Sequence, residues 1–239
     1  MTLPVLGPVH ADTIIVTWIV MALGIGFFAW LGASYRSHQT NKTQTTLELI
    51  VDYLSDLALS TMGPGGLPFV PLVICLFFFI FLLNQIGLFP IKEFGLHFGD
   101  APIGGSPTAD LNTTAGLAIM VFLMIHITGI RRHGLAFYKH LFQPFVFLFP
   151  INLIEEIARP VTLALRLFGN IFAGEILLFI IASIIVSHIS IGPVNLSLAA
   201  TVMPILVLFF NLFVGTLQAF VFTLLTIVYM ISAVSEESH

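Results

Sequence analysis

Charge is the first thing this chain lacks. Among its 239 residues only 8 are Lys or Arg and 12 are Asp or Glu, which is 8% in all, against roughly 25% in an ordinary soluble domain. So few charges cannot cover a water-facing surface around 26.2 kDa of protein. A mean hydropathy of +1.06 and an apolar share of 58% require lipid as the main solvent. A basic stripe is missing as well: the net charge is −4, which excludes the electrostatic footprint of a nucleic-acid partner. Cysteine occurs once, as Cys75 inside an apolar run, so a disulfide framework and a cysteine metal centre are both excluded. No cofactor or metal is expected. The first ten residues hold no Lys or Arg, and no small-residue cleavage pattern follows the first apolar run, so a cleaved signal peptide is not expected. Internal repeats, a nucleotide fingerprint and a phosphate loop are absent too, which removes support for a transporter built from two symmetric halves.

What the chain does have is apolar length. A spanning helix needs about 20 mainly apolar residues to cross roughly 30 Å of hydrocarbon. Runs of that kind cover residues 13–35, 67–90 and 111–130, and a longer apolar region breaks only at Ser187–Ser197 into 144–186 and 195–234. These last two are each about twice the length a bilayer requires. Residues 42–62 are different. Leu47, Ile50, Val51, Leu54, Leu57 and Ala58 recur at helical spacing while Glu48, Asp52 and Asp56 repeat every four residues on another face. The spacing of Thr45 and Glu48 predicts the start of this helix, and the Gly63, Pro64, Gly65, Gly66 cluster its end. The predicted fold is an all-α integral membrane protein forming one membrane domain over residues 1–239. It has five membrane-crossing helices and one interfacial amphipathic helix, and the last two spans are long and strongly tilted as a hairpin.

Lys and Arg placement sets the expected orientation. With the amino terminus outside, Arg36, Lys42, Arg131, Arg132 and Lys139 all fall on the cytoplasmic side and Lys92 falls outside. The carboxyl terminus is then cytoplasmic.

Five charged residues sit where charge costs most. Glu155, Glu156, Arg159, Arg166 and Glu175 lie within one otherwise apolar run, each at a cost of about 2–3.5 kcal/mol near mid-membrane on insertion scales. Such residues face protein or water rather than lipid. Glu155 and Arg159 stand four apart in the favourable order and are expected to form a structural ion pair. Arg166 shares their stripe to within about 20° but has no acid at short helical spacing. Asn170, one turn on, cannot neutralise it. Glu175 lies nine positions further, about 13.5 Å along and half a turn round. Asp and Glu outside this run fall in loops, tails or the interfacial helix, so the counter-charge is expected from another polypeptide; the other outcome is that Arg166 snorkels to an interface. On the last span Asn211, Gly215 and Gln218 form one stripe at i, i+4 and i+7. It suits either a watered path or hydrogen-bonding glue between helices. His126, alone in the third span, reads as a hydrogen-bonded packing residue.

These residues also carry a resemblance. The stretches LALRLFGNIFAGE at Leu163–Glu175 and TLQAFVFTLLTIVYM at Thr216–Met230 resemble subunit a of F-type ATP synthases, the stator half of the proton channel. So do PTADLNTTAGLA at Pro107–Ala118, NQIGLFP at Asn84–Pro90 and NLIEEIARPV at Asn152–Val161. The likeness covers roughly residues 70–235; the amino-terminal third matches in layout alone. It implies a proton-translocating, non-catalytic component of a two-sector ATPase. Its expected partners are a rotor ring of c subunits, peripheral-stalk b subunits, lipid and protons, and its place is a bacterial plasma membrane rather than a thylakoid. By this resemblance Arg166 is the essential arginine, Asn170 and Gln218 lie beside it, and Glu175 serves a water-accessible half-channel. Asn211 stands where some relatives carry a titratable His or Glu, and Gly87 where some carry an acid. Glu155, Glu156 and His188 are candidate linings of the half-channels. The alternative is a self-contained ion channel or transporter, which would conduct without a partner ring.

Overall fold

The computed structural model of the chain describes residues 2–3, 7–8, 11–34, 42–87, 97–98, 101–102, 106–142, 145–186 and 196–234. Its α-helices are α1 (Ala11–Ser34), α2 (Lys42–Met62), α3 (Val70–Ile86), α4 (Leu111–His133), α5 (Phe149–Val186) and α6 (Leu196–Val234). Strand among the described residues is limited to two ladders of two-residue strands. β1 (Thr2–Leu3) pairs with β2 (Gly7–Pro8), and β3 (His97–Phe98) with β4 (Ala101–Pro102). Five helical segments are long and apolar enough to cross a membrane, and α2 is not one of them. The chain is an all-α membrane protein.

Local chemistry explains where these helices begin and end. α2 spans Lys42–Met62, the range expected for it, but Thr45 lies inside its first turn rather than at a cap. Thr46 Oγ1 donates back to the Lys42 carbonyl at 3.0 Å, and Gln44 Nε2 donates to Glu48 at 2.9 Å, so Glu48 is engaged along the helix face rather than at a cap. Leu54, Ala58 and Met62, four apart, are the buried stripe of α2. The helix stops at Gly63, whose φ of 66° strains any residue with a Cβ.

Apolarity predicts a second helix from residue 67. The backbone instead makes a tight 3₁₀ turn over Pro64–Phe69, because Pro68 lacks the N–H that a continuous α-helix would use. The α-helix starts at Val70, with Pro71 in its first turn, where a missing N–H is harmless. Residues 88–90, the expected end of this span, lie outside the described residues. Asp110 caps α4 by accepting the Asn112 N–H at 3.0 Å. This helix continues past the apolar run to Arg131, Arg132 and His133, cations that suit the negative end of its dipole, and ends at Gly134 with φ 61°.

The two long apolar runs are two unbroken helices of 38 and 39 residues. At 1.5 Å per residue each is about 57 Å long, nearly twice the hydrocarbon thickness, so they form a strongly tilted hairpin. Pro160 sits inside α5. It withdraws the N–H that would otherwise bond the Glu156 carbonyl, which loosens the helix beside two acids.

The core gathers on α6, which packs against α2, α3, α4 and α5. Its buried face runs through Gln218, Ala219, Phe222, Thr223, Thr226, Ile227 and Met230. Thr223 and Thr226 donate their hydroxyls to the Ala219 and Phe222 carbonyls at 2.9 Å each, so neither is left unsatisfied in an apolar interior. At the periphery α1 buries Val16 and Val20 and touches α3 through Phe28 and Phe78, 5.0 Å apart. Trp18 and Trp30 of α1 stay exposed, which suits a lipid-facing helix.

One residue ties three helix ends together. Arg132, in the last turn of α4, donates to the Gly65 carbonyl at 3.0 Å and to the Val234 carbonyl at 3.4 Å, and its guanidinium lies 5.5 Å from the Phe69 ring centroid. The start of α3 and the ends of α4 and α6 therefore share one side of the protein, and the helices alternate in direction. Replacing Arg132 with Ala is expected to destabilise the fold by about 1–2 kcal/mol, since two hydrogen bonds from a charged donor are lost. The check is the thermal midpoint of the detergent-solubilised protein, which should fall by a few degrees. Lys should recover only part of the loss, because it lacks the planar fork that reaches both carbonyls.

Candidate functional site

On the side of the bundle away from Arg132, a polar network joins four elements. Glu175 of α5 accepts the backbone N–H of Ser106 at 2.7 Å. The Ser106 hydroxyl lies 2.8 Å from the Leu83 carbonyl and 2.5 Å from the Thr108 hydroxyl, which in turn is 2.8 Å from Asn84 Oδ1. Two hydroxyl protons thus serve three contacts. Asn84 closes the network by donating from Nδ2 to the Gly215 carbonyl of α6 at 2.9 Å. Next to it, Gln85 Nε2 reaches Thr216 Oγ1 at 3.2 Å. Asn84, Ser106 and Thr108 are all buried, so this network would be expensive to leave half satisfied.

Asn170, Glu175 and Asn211 come together here. With Asn84, Gly87 and Ser106 they line a cavity of about 20 Å³, which is room for about one water. Asn170 Nδ2 donates to Gln218 Oε1 at 2.8 Å across the α5–α6 hairpin, and Asn211 Nδ2 donates to the Gly174 carbonyl at 3.2 Å. Gly174 makes the second contact feasible, because a Cβ there would stand 2.5 Å from Asn211 Oδ1. Gly87 works the same way: a Cβ would come within 2.6 Å of the Ser106 Cβ. The glycine at 87 leaves Ser106 close enough to donate to Glu175.

Arg166 stands one helical turn before Asn170 and is half-buried. Among the described residues no carboxylate forms an ion pair with it. Its neighbours Leu165 and Phe172 are exposed at 52% and 43%, so this part of α5 presents an apolar face with a guanidinium near it.

On the Arg132 side a second cluster surrounds the other charged residues. Arg159 Nη2 is 3.5 Å from Glu155, the pair that the four-residue spacing predicts, but Nη1 is closer to Glu156, at 2.9 Å. Burial explains the preference: the Glu155 side chain is 65% exposed and that of Glu156 only 9%, and a buried carboxylate needs its partner far more. The Arg159 guanidinium also lies 5.3 Å from the Tyr229 ring centroid. The other Glu156 oxygen is 3.5 Å from His126 Nε2. Glu155, Arg159, Thr162, Tyr229 and Ser232 line an open cleft of about 420 Å³.

His126 joins this cluster across α4 and α5, which its apolar flanks in the sequence gave no sign of. Ser106, Thr108 and Asn84 are likewise site residues that spacing within one helix cannot find, since Ser106 and Glu175 are far apart in sequence. His188, expected near the outer surface, lies outside the described residues. Two polar clusters are thus strung along α5, with Arg166 about 15 Å from Glu156 and 13.5 Å from Glu175 along the helix.

Comparison with known proteins now bears on this geometry. A family model described as ATP synthase A chain matches residues 14–231. The chain belongs to the ATP synthase A chain family. It is similar to ATP synthase subunit a of Desulforamulus reducens, 39% identical over 230 residues that make up 95% of this chain and 80% of that protein. It is also similar to ATP synthase subunit a of Bacillus subtilis, 41% identical over 207 residues, 84% of this chain and 83% of the relative. Subunit a of Moorella thermoacetica is 37% identical over 228 residues, covering 94% and 92%. Membership makes the chain a non-catalytic, multi-pass membrane component of the ATP synthase that takes part in ATP synthesis and proton transport.

Proposed function

We propose that the chain is the proton-translocating stator of the ATP synthase membrane sector, with Arg166 facing the carboxylates of a rotating ring of c subunits. The observation that carries this reading is the position of Arg166: half-buried beside an apolar face, next to the Asn170–Gln218 contact, with no ion-pair partner among the described residues. A ring carboxylate is neutral while it faces lipid, because a bare anion there is costly, and it ionises where it meets a fixed cation. A guanidinium keeps its proton, so Arg166 supplies a field and does not carry protons itself.

The two polar clusters are then the inner ends of two offset half-channels. Glu175, Asn170 and Asn211 with Ser106 and Asn84 serve the outer one, and Glu155 and Glu156 the cytoplasmic one. Asn211 orients and hydrates this path but does not titrate, so proton exchange in the outer half-channel rests on Glu175. Protons ride the ring between the half-channels, and each one falling through 100 mV contributes about 2.3 kcal/mol to rotation. The amino terminus lies outside a bacterial plasma membrane, in keeping with the basic residues at Arg131 and Arg132, and peripheral-stalk b subunits hold the chain against torque. The test is co-purification: the tagged chain, extracted in mild detergent, is expected to bring with it an oligomeric ring of small two-helix proteins. Recovery of a chain that conducts protons in vesicles with no such ring would overturn the reading.

A further inference from the structure

We propose that His126 and Glu156 form a proton-holding pair that admits protons to and releases them from the half-channel on the Arg132 side. This inference rests on the stator reading above and assigns a working role to a histidine outside the α5–α6 hairpin. The argument starts from the tautomer. His126 Nδ1 lies 2.9 Å from the Phe122 carbonyl, and a carbonyl oxygen only accepts, so Nδ1 carries a hydrogen. Nε2 is then the ring atom whose protonation can change, and it faces Glu156 Oε1 at 3.5 Å.

The two states of Nε2 are not equivalent. Bare, its lone pair faces an anion; protonated, an imidazolium faces a carboxylate. Arg159 is 2.9 Å from the other oxygen of Glu156, so Oε1 is the oxygen left to face the imidazole. The rings of Phe122, Phe137 and Tyr138, with centroids 4.0, 5.8 and 6.0 Å from that of His126, offer π-faces and edges in place of water. The charged and titratable groups around the pair are Glu155, Glu156 and Arg159 from α5, Tyr229 from α6 and Tyr138 from the turn after α4. With His126 protonated, two cations balance Glu155 and Glu156; with it neutral, the cluster is one negative charge in excess. The side chains of His126 and Glu156 are only 12% and 9% exposed, so that excess is felt at close range; they line a small cavity of about 10 Å³ with Arg159 and Tyr229, two residues that also border the open cleft.

The transfer is a simple one. The Nε2–H bond breaks as an O–H bond forms on water, the Nδ1–H to Phe122 stays intact, and the reverse step reloads the ring. No other bond changes. The pair therefore ties proton exchange on this side to one ring nitrogen, Nε2.

The experiment measures ATP-driven proton uptake by inverted membrane vesicles carrying the assembled enzyme. Uptake is divided by the ATP hydrolysed in the same vesicles without a gradient, as bulk pH is varied between about 5.5 and 8.5. The wild type is expected to show a stepwise fall as the pH rises. His126→Gln, which keeps hydrogen bonding but cannot titrate, should remove that step, and combining it with Glu156→Gln should change little more. Glu156→Gln alone carries the same expectation and serves if the histidine variant fails to assemble. Glu175→Gln should lower uptake at every pH and leave the step in place. A step that persists in both inner variants, or is missing from the wild type, while Glu175→Gln still lowers uptake, overturns the pair and leaves the stator reading intact. If neither Glu175→Gln nor Arg166→Ala lowers uptake, both are overturned.

Discussion

Replacing Arg166 with Ala is expected to bring proton-driven ATP synthesis to an undetectable level while the chain still folds and assembles. The size of the effect follows from the field the guanidinium provides. Two unit charges about 4 Å apart at an effective dielectric of about 20 interact by about 4 kcal/mol. Removing one of them makes ionisation of the other about a thousandfold less favourable. A ring carboxylate that no longer ionises at the stator has no reason to release its proton there, and rotation loses its direction. Folding should survive, because among the described residues no carboxylate forms an ion pair with Arg166, and an alanine at this exposed stretch of α5 removes a charge that was costly to insert. Synthesis driven by an imposed proton gradient in membrane vesicles is the measurement, with the amount of assembled complex as its control. Arg166→Lys should rescue little, since an ammonium shares the charge but not the planar two-point geometry. Ordinary synthesis rates in the alanine variant would remove Arg166 from the mechanism.

How much of this was legible beforehand depends on the range of each interaction. Scarcity of charge and length of apolar runs are local quantities, and they suffice for an all-α membrane protein with two over-long final helices. Spacing along one helix is also local, so it puts Glu155 and Arg159 on a common stripe and leaves Arg166 without an acid at reach. It does not say that Arg159 prefers Glu156 at 2.9 Å over Glu155 at 3.5 Å. That choice turns on which acid faces the interior, and burial belongs to the packed bundle. His126 shows the same limit. Its flanks are apolar in sequence, yet the Glu156 carboxylate arrives from another helix. The expected cap of α2 fails for a different reason: Thr45 and Glu48 have the spacing of a cap, but the helix already begins at Lys42 and Gln44 and Thr46 make helical side-chain contacts across the same residues, which a pattern of four letters cannot exclude. The loop donor to Glu175 is the least legible of all, because Ser106 and Glu175 meet only after α4 and α5 have packed.

Gly87→Ala is expected to slow proton translocation through the outer half-channel severalfold. The backbone does not object: Gly87 has φ −67° and ψ −16°, ordinary helical values that alanine also adopts. Space is the obstacle. The new Cβ would stand 2.6 Å from the Ser106 Cβ and 3.0 Å from its nitrogen, well inside van der Waals contact, and overpacking of this kind costs about 1–3 kcal/mol. Ser106 is pinned on its other side by the Leu83 carbonyl and by Thr108, so the easiest motion carries its N–H away from Glu175. The carboxylate then loses a donor at 2.7 Å and the small cavity shared with Asn170 and Asn211 changes shape. An acidic residue at 87 would add repulsion of the Glu175 carboxylate to the same clash. The check is passive proton flow measured beside the thermal midpoint of the complex. Both should fall in Gly87→Ala, and enlarging the space by Ser106→Gly in the same chain should restore more of the stability than of the flow, because glycine brings back the room and the backbone donor but not the hydroxyl that fixes the loop. Equal recovery of both would mean that the Ser106 hydroxyl network plays no part in holding Glu175.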